Sequence, residues 1–404
     1  MKTHIIALAL FAGTAATLAL YPQAQGLMNP PPHTQTQVHV PPVNPVSNER
    51  PRIEVVFVLD TTGSMSGLIQ AAKEKIWSIA TTMASAQPAP EIRMGLVAYR
   101  DRGDAYVTKV VDLSSDLDSI YATLMDFQAA GGGDGPESVN QALNDALNKI
   151  SWSQDGQVYK TVFLVGDAPP HMDYANEVKY PQTLKQAEQH GIVVNTVQCG
   201  QSSETQQAWQ QIAMLGTGDY FQVDQAGSAV AIATPFDKTL ADLSHKLDQT
   251  RLYYGSDEEK AQKQRKLDAA EKLHAGASVA SRARRATFNA SASGKDNLIG
   301  DGELVDDVAS GRVDLDKIEQ EALPATMQAL APEEQKALIK ETAEKRQKLE
   351  DEIAGLAVQR NAYLKQKVEE SGAAEGSLDA KIYSAVREQA AKQGLHYEAD
   401  ALKY

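Results

Sequence analysis

The chain has a single cysteine, Cys199, among 404 residues. No intramolecular disulfide can form. A Cys/His zinc cage is unsupported too, because Cys199 stands alone in the run VVNTVQCG. It reads as a small buried residue near a strand end. Aromatic residues make up only 6%, which argues against a broad aromatic binding groove. Basic residues are in deficit: 39 Lys and Arg face 53 Asp and Glu, a formal net charge of -14. A surface of that sign repels a phosphate backbone, so nucleic acid is excluded as a partner class. Beyond the N-terminus no stretch is apolar enough to cross a membrane. The glycine-rich run GGGDGPE lacks the Gly-Lys-Ser/Thr ending of a nucleotide P-loop.

What is present begins with an export signature. Lys2 and His4 precede an apolar run from Ile5 to Leu20, and Ala24 and Gly26 offer a cleavage site. No cysteine follows, so a lipoprotein anchor is excluded. The run is short for a membrane span, which favours a cleaved signal over 1–26 and a periplasmic or secreted protein; an uncleaved anchor is the alternative. Residues 27–52, rich in Pro, Asn, Gln, His and Thr, read as an extended linker.

From 53 to 248 strand-like and helix-like segments alternate. IEVVFVL (Ile53 to Leu59) is the continuous apolar run of a strand buried on both faces. Strands are expected again over Ile92–Ala98, Tyr106–Val111, Lys160–Val165, Ile192–Val197 and Tyr220–Val223. Helices are expected over Ser66–Ser85, Asp116–Phe127, Pro136–Ile150, Gln182–His190, Glu204–Leu215 and Gly227–Leu247. This alternation predicts an α/β fold with a doubly wound, mostly parallel sheet, the Tyr106 strand lying antiparallel at an edge. Residues 249–404 read as a helical C-terminal region: a charged helix over Asp257–Ala275, a linker over Arg282–Gly302, a long helix from Pro332 to about Glu369, and a last helix over Lys381–Lys392. Leu349, Leu356 and Tyr363 recur every seven residues like a coiled-coil seam, interrupted by Arg360. That helix either packs on its own neighbours or mediates self-association.

Asp60 ends the first buried strand, and ligands of open parallel sheets bind beyond the carboxyl ends of strands. Asp60, Thr62 and Ser64 alternate on a turn opened by Gly63, so one carboxylate and two hydroxyls can aim at one point. Such hard oxygen donors suit Mg²⁺ first, with Ca²⁺ or Mn²⁺ as alternatives. Asp167 ends the strand YKTVFLVG, and the loop Gly131-Gly132-Gly133-Asp134-Gly135-Pro136-Glu137 brings Asp134 and Glu137 as further candidates.

DTTGSMS after an apolar strand resembles the metal-ion-dependent adhesion site (MIDAS) of the von Willebrand factor A (VWA) family, in its bacterial exported form. The resemblance covers roughly Arg52 to Leu247. It implies a Rossmann-like doubly wound fold. It further implies metal ligation by Asp60, Thr62 and Ser64, with Asp167 direct or through water, and a protein partner offering an acidic side chain to the metal. Thr62 stands where the family has its first serine, and Glu137 where it has a threonine. A carboxylate there gives the metal more charge and weakens its attraction for an acidic ligand. The chain is thus expected to be a binding or assembly module and not an enzyme. The alternatives are a Mg-dependent phosphatase-like hydrolase attacking through Asp60, or a fold whose metal is purely structural. Arg102-Gly103-Asp104 reads as turn chemistry, His171 as part of a polar rim, and Asn289-Ala290-Ser291 as an incidental match to a glycosylation acceptor.

Overall fold

The computed structural model describes residues 50–133, 135–154, 158–225, 232–371 and 378–397. The signal, most of the linker and Asp134 lie outside the described residues.

Six strands form one sheet. They are β1 (Arg52–Asp60), β2 (Glu91–Tyr99), β3 (Thr108–Ser114), β4 (Val158–Gly166), β5 (Ile192–Cys199) and β6 (Thr217–Val223). Their order is β3-β2-β1-β4-β5-β6, parallel except for β3, the antiparallel edge. β1 pairs with β2 on one side and β4 on the other, so the winding reverses at β1/β4. Such a reversal leaves a crevice at the carboxyl ends of the two strands. Leu59 lies opposite Val165, which sets Asp60 against Gly166 and Asp167 just beyond.

The β1 side chains alternate between two apolar layers, which is why the whole run is apolar. Val55, Phe57 and Leu59 face α1 (Ser66–Ala84) and α2 (Leu117–Asp126). Val56 and Val58 face α3 (Val139–Asn148), α4 (Tyr180–Gln189) and α5 (Ser203–Leu215). Cys199 is buried in the first layer, as its sequence setting predicted.

Past β6 the chain is helical: α6 (Asp237–Asp248), α7 (Asp257–Gly276), α8 (Val279–Asn289), the short α9 (Lys295–Leu298) and α10 (Leu304–Ala309), α11 (Pro332–Ser371) and α12 (Leu378–Ala391). The helix expected over Gly227–Leu247 starts only at Asp237, residues 226–231 being outside the described set. The boundary expected at 248 falls inside one compact unit that begins at Arg50. Ile382, Ala385, Val386 and Ala390 of α12 complete the first apolar layer against the sheet and α1.

The linker expected over Arg282–Gly302 is a correction. Most of it is α8 and α9, and Arg285 is fully buried. Its guanidinium holds Asp118 (Nε–Oδ1 2.6 Å) and Asp248 (Nη1–Oδ2 2.8 Å). α11 packs along α6, α8 and α10 of its own chain, with Leu349 and Ile353 buried. Arg360 does not interrupt that packing; it is buried, and its Nε donates to Asp237 Oδ1 at 2.7 Å.

Candidate metal centre

β1 delivers Asp60 fully buried at its carboxyl end. The Thr62 amide and hydroxyl both donate to Asp60 Oδ1, at 2.8 and 2.7 Å. The Ser64 hydroxyl, on the short turn Gly63–Met65 that leads into α1, lies 3.4 Å from that of Thr62. The turn thus brings the Thr62 hydroxyl between the Asp60 carboxyl and the Ser64 hydroxyl.

Asp60 Oδ2 is buried with no hydrogen-bond partner. The Asp167 backbone makes the Asp60 carboxyl a little more acidic. Burial pushes the Asp60 carboxyl up to about 7; the two Thr62 bonds pull it down, and the neighbouring Asp167 carboxylate pushes it further up. An unsatisfied buried carboxylate oxygen costs several kcal/mol unless something positive answers it.

β4 brings Asp167 to the same place because Gly166 leaves room. A Cβ on Gly166 would fall 2.5 Å from the Tyr99 hydroxyl oxygen and 3.0 Å from Asp60 Cβ. Gln225, just past β6, donates to Asp167 Oδ2 at 2.6 Å. Sequence reading missed Gln225, although its place at a strand's carboxyl end is the signal that could have found it.

The glycine-rich loop is the third contributor. Gly63 N–H donates to Gly131 O, and Ala130 N–H to Thr61 O, both at 3.1 Å. Gly132 (φ +78°) sits between Thr62 and Glu137: a Cβ there would lie 3.1 Å from Thr62 Cβ and 3.2 Å from Glu137 Oε1. The buried Glu137 is pinned through its backbone, its N–H donating to Pro169 O at 2.9 Å and its carbonyl accepting from His171 N–H at 3.1 Å. Pro136 and Glu137 therefore precede α3 and do not belong to it, contrary to the helix expected from Pro136.

Tyr99, at the end of β2, was also missed. Its hydroxyl is buried and pushed well above its ordinary range, by burial first and then by Asp60, Glu137 and Asp167. Asp60, Glu137 and Asp167 thus all lie near enough to act on that hydroxyl. Among the described residues no three His, Cys, Asp or Glu side chains are gathered as a ready-made cage. The donor set is mixed instead, carboxylates with the Thr62 and Ser64 hydroxyls. It fits a hard divalent cation, and the buried, unpartnered Asp60 Oδ2 is the place where one is wanted.

The rim shows why the remaining motifs read as they do. Asp104 of the Arg102-Gly103-Asp104 string turns inward, its Oδ2 accepting from Gly132 N–H at 3.1 Å and Asp101 N–H at 3.2 Å. His171 is buried, stacked on Tyr174 at 4.0 Å, with Nδ1 2.8 Å from Asp173 Oδ1. Asn289 is buried within α8 and cannot accept a glycan.

Residues 54–235 match the family model of the von Willebrand factor A domain. Among curated proteins the chain is similar to an ariadne-like RING finger protein of Acanthamoeba polyphaga mimivirus, 27% identical over 30% of this chain and 11% of that protein. It is also similar to von Willebrand factor A domain-containing protein 7 of Rattus norvegicus, 38% identical over 30% of this chain and 12% of that protein. The chain thus spans about an eighth or less of the length of these relatives. Among solved structures it resembles proximal thread matrix protein 1 from the mussel byssus with a zinc-occupied MIDAS motif (16% identity, 43% of this chain and 42% of that one, TM-score 0.35).

Proposed function

Taking as premise that residues 54–235 are a von Willebrand factor A domain, we propose that this domain is a divalent-metal-dependent protein-binding module and not an enzyme. Asp60, Thr62, Ser64 and Asp167 would hold the ion, with Glu137 beside it. The ion would supply a fixed positive charge at the crevice mouth, satisfying Asp60 Oδ2 and keeping the three loops in register. The observation that carries this reading is that one oxygen, fully buried and without a hydrogen-bond partner among carboxylates. Mg²⁺ suits the hard donors best.

The chain's own residues do the rest. Thr62 fixes the orientation of the Asp60 carboxyl through Oδ1, leaving Oδ2 toward the ion. Gly132 and Gly166 let three backbones approach closely enough to share it. Nucleophilic use of Asp60 is disfavoured by its burial and by Thr62 two residues on, where a phosphatase-like mechanism wants a second acid. The N-terminal run supports export, which would put the module in an envelope or extracellular setting.

The test is capture of a partner from the native envelope fraction, with and without chelator, by wild type and Asp60→Asn. Capture should require both the metal and Asp60. Equal capture by all four samples would contradict the reading, and Asp60-dependent turnover of a phosphate ester would replace it with the hydrolase.

A further inference from the structure

Asp60, Glu137 and Asp167 stand on three separate loops, so the space they offer an ion depends on how those loops are spaced. The residues that end and follow β2 touch all three. The Tyr99 carbonyl accepts from the Thr61 amide at 2.9 Å and from the Thr61 hydroxyl at 2.8 Å. Arg100 comes next and is buried. Its Nε donates to Thr61 O at 3.0 Å and its Nη2 to Gln128 O at 2.7 Å. One guanidinium thus joins the DTTGSMS turn to the segment that opens the glycine-rich loop. Asp104 Oδ2 takes Gly132 N–H, in the middle of that loop, at 3.1 Å. Asp101, also buried, accepts from the Ser138 hydroxyl at 2.8 Å and from the Tyr174 hydroxyl at 2.7 Å. It therefore joins the far end of the glycine-rich loop to the loop between β4 and α4, where His171 Nε2 lies 3.4 Å from the same carboxylate.

Burying a guanidinium is costly, and among the described residues no ion pair offsets it here; its other contact is the Tyr106 ring, 4.5 Å from Cζ. The fork accounts for its presence. A planar guanidinium sets the separation of two acceptors, which a flexible ammonium cannot do. We propose that Arg100 and Asp101 are positioning residues that set the spacing of the three loops, and with it the size of ion the site accepts. This inference rests on the metal reading and adds ion selectivity to it. Mg²⁺ demands near-ideal octahedral geometry at about 2.0–2.1 Å, whereas Ca²⁺ accepts looser donor sets at about 2.3–2.6 Å. Loosened loops therefore cost Mg²⁺ more than Ca²⁺. A variant that is merely less stable lowers the competent fraction of molecules and weakens both ions by one factor.

The test is calorimetric titration of the full chain with Mg²⁺ and with Ca²⁺, beside urea unfolding in chelator. Arg100→Lys keeps the charge and loses the fork. Tyr174→Phe removes one hydroxyl from Asp101, and carries the test if Arg100→Lys does not fold. Each should weaken Mg²⁺ binding about tenfold and Ca²⁺ binding by a smaller factor. Arg93→Lys is the control, on the same strand but away from the site, where Arg93 bonds Glu54 Oε1 at 3.0 Å and Leu113 O at 3.3 Å. It should lower stability and leave the ratio of the two affinities unchanged. Equal loss for both ions, no loss for either, or the same change of ratio in the control would overturn the proposal. If those outcomes come with binding that still requires Asp60, the proposal alone fails. Wild type binding neither ion, or binding that survives Asp60→Asn, would remove the metal reading and this proposal with it.

Discussion

At the residue scale, Asp60 decides the behaviour of the site. Burial pushes its carboxyl up to about 7 from an ordinary value of 3.8. A raised carboxyl favours the protonated folded state, so its contribution to stability is complete below about pH 4 and is lost as pH rises towards 7. The loss is of order 4 kcal/mol at most, at 1.36 kcal/mol per unit. Urea unfolding in chelator at pH 5 and pH 8 should therefore show wild type losing more stability than Asp60→Asn across that interval. Parallel slopes would remove the argument. The proton and the metal compete for one carboxylate, so Mg²⁺ affinity should fall about tenfold per pH unit below 7 and level off above it. Calorimetry across that range checks it. The DTTGSMS turn was legible because its alternation is local. Tyr99 and Gln225 belong to no motif, and only their places at the carboxyl ends of β2 and β6 point to them.

At the element scale, the strands were the easiest to read. β1 and β4 are buried on both faces and so are apolar throughout, a pattern that needs no knowledge of the partner strand. The opposite case is α8. VASRARRATFNASASG has small and polar residues and resembles a linker in composition. What makes it a packed helix is Arg285 between Asp118 and Asp248, partners 167 and 37 residues upstream. Together these groups hold both carboxyls below the usual carboxylate range, chiefly through the Arg285 charge against the opposing effect of burial. Replacing Arg285 with Ala should destabilise the fold by about 3–5 kcal/mol, because buried Asp118 would lose its ion-pair partner and Asp248 would keep only Arg251. Thermal unfolding measures this, and a change under about 1 kcal/mol would mean the network relaxes into solvent. Arg360 teaches the same lesson: a charge that breaks a sequence repeat became a buried tie to Asp237.

At the scale of the whole molecule, the α/β part and the helical tail are not independent. α12 comes more than a hundred residues after β6, yet its apolar side closes the first layer over β4, β5 and β6. Gln389 fastens it, donating to Asn195 Oδ1 at 2.7 Å and Asp219 Oδ2 at 2.9 Å and accepting from the Tyr159 hydroxyl at 2.7 Å. Removing the chain after residue 377 should uncover Val197, Cys199 and Val223, lower the unfolding midpoint and raise binding of a hydrophobic dye. A truncated chain as stable as the full one would show that α12 is only an ornament of the sheet. Sequence reasoning recovered the doubly wound sheet but drew a boundary at 248, since periodicity reports which face of a helix is apolar and not what it covers.

The central claim is that one divalent cation belongs at the β1/β4 crevice and is held through Asp60. Calorimetric titration of Mg²⁺ into wild type and Asp60→Asn at pH 8 tests it most directly, because that change keeps the shape of the side chain and removes its charge. The account predicts one ion per wild-type chain and none, or binding at least a hundredfold weaker, in the variant (about 2.7 kcal/mol). Equal binding by the two proteins, or no binding by wild type, would contradict it.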